Sequence, residues 1–90
     1  MSADRVGQIR EALGSALDPT ELLIKDQSHL HAGHEGAKDG RGHFDVTIVS
    51  ESFTGQNLIQ RHRMVYDALT ELLATDIHAL RIKAFTPSER

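Results

Sequence analysis

Ninety residues with 39% hydrophobic and 26% charged side chains describe one globular domain with a small core. Cysteine is absent, which excludes disulfides, thiol catalysis and a self-sufficient iron–sulfur cage. A net charge of -3 with neutral histidines weighs against a constitutive nucleic-acid binder, and no apolar run approaches the ~20 residues of a membrane span. The first five residues lack the apolar segment of a signal peptide, so the expected location is cytoplasmic.

A first helix is expected from Asp4 to Leu17, where Val6, Ile9, Leu13 and Leu17 recur at steps of three and four. Ser2 or Asp4 can cap it, and Asp18-Pro19 ends it. Glu21 to Asp26 reads as a short strand. A long loop follows, from Ser28 to Phe44, holding four of the six histidines and four of the seven glycines. His43 to Ser50 is the clearest strand, because Phe44, Val46 and Ile48 alternate with polar residues. Phe53-Thr54-Gly55 marks a turn. Asn57 to Leu73 reads as one long helix with Leu58, His62, Val65, Leu69 and Leu72 on its core stripe. His78 to Phe85 is a third strand, with Leu80, Ile82 and Ala84 on one face. Thr86-Pro87-Ser88-Glu89 has capping-box spacing with proline at the first helical position.

The order helix, strand, strand, helix, strand predicts an α+β fold: a two-layer sandwich with helices on one face of a three-stranded mixed sheet, as one domain over residues 1–90. A crossover through a helix joins parallel strands. The third strand then starts at the same edge as the second, and His78 meets His43 and the loop bearing His29, His31 and His34 at one rim. Imidazole is the commonest protein metal ligand, so that rim is a candidate metal site. On the residues alone His78 also reads as a buried or strand-end structural histidine, and the loop histidines as solvated side chains. His43 reads as a supporting hydrogen-bond partner or a plain strand residue, and His62 as a structural histidine of the long helix.

Arg61 and Arg63 are candidates for a partner-docking or phosphate-contacting patch, against an ordinary helix surface with ion pairs. Lys25, Arg81 and Lys83 share the sheet face away from the helices, with Asp45 diluting their charge. No nucleophile–base pair or phosphate loop suggests an enzyme.

Ser28 and the loop histidine, His43-Phe44, Val49-Ser50, Phe53-x-Gly55, Arg61-His62-Arg63-Met64-Val65-Tyr66, Ile77-His78-Ala79-Leu80 and Thr86-Pro87-x-Glu89 together resemble the BolA family over nearly the whole chain. The resemblance implies a fold like a class II KH domain. It also implies a monothiol glutaredoxin as partner, sharing a 2Fe-2S cluster for which the glutaredoxin and glutathione supply thiolates. On that resemblance this chain supplies His78 and a loop residue. His31 matches the loop position best, with His34 and His29 as alternatives. Two imidazoles on one iron make a Rieske-like set that raises the cluster potential. The implied role is a non-catalytic iron–sulfur adaptor in cluster trafficking or iron and redox regulation, with the free chain a monomer holding no tightly bound cofactor.

A second reading is a DNA-binding transcriptional or stress-response regulator using the KH-like fold. The turn offers Gly55-Gln56-Asn57-Leu58, without the second glycine of a Gly-x-x-Gly clamp. A third is a histidine-only zinc or copper site on His31, His34 and His78.

Overall fold

The computed structural model describes residues 5–27 and 42–90. Helix α1 runs Arg5–Leu17 and strand β1 Glu21–Asp26. Strand β2 runs Gly42–Val49, and a 3-10 turn Glu51–Phe53 follows. Then come α2 (Leu58–Ala68), α3 (Thr70–Thr75), β3 (Ile77–Phe85) and a closing 3-10 turn Pro87–Glu89. The sheet order is β1-β2-β3, with β1 antiparallel and β3 parallel to β2. The two-layer mixed-sheet architecture expected from the element order is therefore the observed one.

Apolar alternation drives β2 into the centre. Phe44, Val46 and Ile48 are essentially fully buried and pack with Ile9, Leu13 and Leu17 of α1 and Val65 of α2. Each such side chain contributes roughly 1.5–3 kcal/mol by leaving water. Helix α1 stops where Asp18 takes a left-handed conformation, φ 45, and donates its N–H to Gly14 O at 3.2 Å. That is the single-bond left-handed helix stop, here carried by Asp where glycine is commoner. The expected caps Ser2 and Asp4 lie outside the described residues.

The single helix expected from Asn57 to Leu73 is divided at Leu69, whose backbone stands at φ -108, ψ 15. Thr70 supplies the cause. Its hydroxyl donates back to Asp67 O at 2.9 Å and Tyr66 O at 3.3 Å, a competition with the helical ladder that bends helices. The core stripe of α2 also sits elsewhere than expected. Leu58 is 66% exposed and His62 only half-buried, while Arg61, Val65 and Leu69 form the inward row. Asn57 caps α2 in a reciprocal box with Gln60, both hydrogen bonds being 2.8 Å.

Candidate functional site

The rim where β2 and β3 begin brings together two of the three histidines among the described residues, His43 and His78, while His62 lies on α2. Gly42 pairs with Ile77, but His43 pairs with Ala79, so His78 is an extra residue in β3. This bulge reverses the strand's alternation. Ile77 turns into the core, 1% exposed, although it shares parity with the outward Arg81 and Lys83. His78 is thereby released from the helix side to an exposed position. Bulges recur beside functional sites because they re-aim a side chain in this way.

His43 alternates with the buried Phe44 and so lies on the outer face of the sheet. It is half-buried there, and its ring centre is 5.1 Å from that of His78, with the planes tilted by 54°. The rim is held by backbone hydrogen bonds on both sides: Gln27 N–H donates to His43 O at 2.7 Å, and Gly42 N–H to Asp76 O at 2.9 Å. Strand β1 ends and β2 begins at this rim, in the register Asp26 to Phe44. His29, His31 and His34 lie outside the described residues. Among the described residues no group of three or more His, Cys, Asp or Glu is placed to hold a metal ion. What this rim offers is a pair of imidazoles, neutral nitrogen donors that suit zinc, copper, nickel or iron.

A second feature covers the outer face. Lys25, Asp45 and Arg81 stand in register across the three strands, and Leu23, Thr47 and Lys83 form the next row. Together they line a groove of about 250 Å³. Its cations are those expected on the bare sheet face, and Asp45 lies between two of them.

Arg61 does not belong to an exposed docking patch. It is buried beneath the C-terminal turn, 9% exposed. Its guanidinium donates to Gln56 O at 2.7 Å, Ala84 O at 3.2 Å and both oxygens of Glu89 at 2.6 and 3.1 Å. It also lies 6.0 Å from the centre of the Phe53 ring. Every part of the side chain is engaged in the fold, so its expected contact with a partner or nucleic acid is withdrawn. Arg63 is exposed on the other side of α2, in a row with the exposed Ile59 and Tyr66. The sequence does not reveal the partner of Arg61. The capping-box spacing that ends in Glu89 marked the turn, but nothing in it points 28 residues back to Arg61.

No helix among the described residues is long and apolar enough to cross a membrane. The chain matches the family described as BolA-like protein over residues 13–89. It is 51% identical to the protein BOLA1, chloroplastic, of Arabidopsis thaliana over 96% of this chain and 56% of that protein. It is 46% identical to the SufE-like protein 1, chloroplastic/mitochondrial, of the same plant over 91% of this chain and 24% of that protein. The chain thus spans little more than half of one relative and a quarter of the other. Those names point away from the cytoplasm for these two plant proteins. The DNA-binding transcriptional regulator BolA of Escherichia coli is 39% identical over 91% of this chain and 75% of its own. Among solved structures, the BolA domain of SufE1 from Arabidopsis thaliana superposes with TM-score 0.84 at 45% identity, covering 96% of this chain and 95% of that one. The family match over most of the chain and the shared mixed-sheet fold agree, and the chain belongs to the BolA family.

Proposed function

We propose that the chain is a non-catalytic iron–sulfur adaptor that pairs with a monothiol glutaredoxin and donates imidazole ligands to a shared 2Fe-2S cluster. His78 is one ligand, and a histidine of the β1–β2 connection, His31 by position, is the other. The partner and glutathione supply the thiolates that a chain without cysteine lacks. The observation that carries the reading is the bulge at His78, which turns an imidazole out of the core and onto the rim where β1 ends and β2 begins. A protonated imidazole cannot ligate, so such a cluster is labile to acid, which suits transfer or sensing. The test is visible absorption and circular dichroism after reconstitution with a monothiol glutaredoxin, glutathione, iron and sulfide. A spectrum distinct from that of the glutaredoxin homodimer, lost with His78→Ala, supports the proposal. A homodimer spectrum unaffected by this chain overturns it.

A second reading rests on the outer face. Lys25, Arg81 and Lys83 line one groove, and a bacterial relative carries the name of a DNA-binding regulator. DNA binding through that face requires a steep salt dependence, its slope falling by about one unit for each lysine or arginine removed. Binding without that slope, or none near physiological salt, removes the reading.

A further inference from the structure

The separation of the two rim histidines carries an inference that needs neither glutaredoxin nor the loop. With a Zn–N bond of about 2.0–2.1 Å and a ring nitrogen about 1.1 Å from its ring centre, two imidazoles on one tetrahedral ion have centres about 5 Å apart. The His43 and His78 rings are 5.1 Å apart, tilted by 54° rather than stacked. They already stand at the spacing of ligands to a common ion.

We infer that His43 and His78 form a binding site for a single tetrahedral divalent cation of the zinc class, held by this chain alone. The backbone supports this assignment. In a regular strand His78 shares a face with Leu80, Ile82 and Ala84, on the helix side, while His43 lies on the outer face beside Asp45 and Thr47. The extra residue in β3 removes that separation and brings both rings to one side of the rim. The row across the sheet at this level contains Ala79, paired with His43, and Gln27, whose N–H holds the His43 carbonyl. Neither is cationic. Lys25 and Arg81 lie in the following outward row with Asp45 between them, and Arg5, at the same end of the sheet, is paired with Asp76 at 3.8 Å. Two protein ligands leave open positions for water or a partner's donor, as in sites that exchange ligands rather than in closed structural sites. Imidazole suits zinc, and no thiolate competes for it in this chain.

The inference separates His43 from the supporting role its place in the sequence suggests, and it stands or falls without the glutaredoxin reading. Zinc(II) is titrated into the 90-residue chain by itself, while the histidine side-chain nitrogens are followed by long-range ¹H–¹⁵N correlation spectra. The expected result is a joint shift of His43 and His78 nitrogens saturating at one ion per chain. His78→Ala and His43→Gln then each weaken zinc binding by at least about tenfold, while the triple variant His29→Ala, His31→Ala, His34→Ala binds within about threefold of the original. His43→Gln keeps a polar side chain of similar length, and its melting temperature reports whether the fold survives. If His43→Ala is used instead and unfolds, the spectra of the unmutated chain still decide. Joint shifts of His78 with loop nitrogens while His43 stays still, or no imidazole shift at all, overturn the inference.

Discussion

The Arg61 guanidinium grips the Glu89 carboxylate with two parallel hydrogen bonds, 2.6 Å from Nη1 to Oε1 and 3.1 Å from Nη2 to Oε2. Glu89 also accepts the Thr86 N–H at 2.8 Å, so one carboxylate closes the C-terminal turn and locks it to α2. The Arg61 bond, followed by the Thr86 N–H, holds the Glu89 pKa at about 2, below its ordinary value of 4.5. A depressed carboxylate stabilises the fold fully above its unfolded value and loses that contribution as pH falls toward the folded one. The stability difference between the unmutated chain and Glu89→Gln is therefore expected to be constant above pH ~5 and to shrink between about pH 4.5 and 2. Thermal melts across that range check it.

Replacing Arg61 is expected to cost more than replacing Glu89. Arg61→Ala abandons the Gln56 and Ala84 carbonyls as well as Glu89, and it leaves a void against Phe53. Arg61→Lys recovers little, because a point charge cannot reproduce the fork. The order of melting temperatures is expected to be original, Glu89→Gln, Arg61→Lys, Arg61→Ala.

Ser50 ties the end of β2 to the end of α1. Its side chain is fully buried, donates to Leu17 O at 2.5 Å and accepts from Ser52 N–H at 3.0 Å. Ser50→Ala removes the buried bond to Leu17 O and the acceptor of the Ser52 N–H, and about 1–3 kcal/mol of stability is expected to go. Urea unfolding measures it, with the midpoint falling and the slope unchanged.

Phe53 is 0% exposed at the centre of the turn between β2 and α2. Phe53→Ala is expected to cost about 3–5 kcal/mol through lost burial and the cavity left behind. Asn57→Ala, a few residues on, removes one half of a capping box at an exposed helix start and is expected to cost about 1 kcal/mol. Equal losses at the two positions in chemical unfolding would contradict this assignment of core and cap.

Much of this architecture is legible in the chain. The alternation of Phe44, Val46 and Ile48 identifies the central strand. The intervening helix requires β3 to run parallel to it, and that direction alone brings His78 to the edge where His43 starts. What stays hidden is set by tertiary contacts. The bulge at His78 changes which face each neighbour takes, yet Ile77-His78-Ala79 carries no glycine or proline to announce it. The break at Leu69 comes from the Thr70 hydroxyl bonding backward, an option helical periodicity does not display. Arg61 reads as a surface cation because charged side chains are rarely buried. Only the folded C-terminus supplies the carboxylate and carbonyls that make its burial tolerable. The proposal that His31 is the loop ligand rests on the family resemblance, since His31 lies outside the described residues.

The central claim is that an imidazole of this chain reaches the iron of a shared cluster. The most direct measurement is pulsed electron paramagnetic resonance of the reduced complex with a monothiol glutaredoxin and glutathione, with ¹⁵N-histidine in this chain only. The account predicts strong ¹⁵N hyperfine couplings from this chain that weaken or vanish with His78→Ala. A reduced cluster whose spectrum is the same with ¹⁵N- and ¹⁴N-histidine in this chain contradicts it.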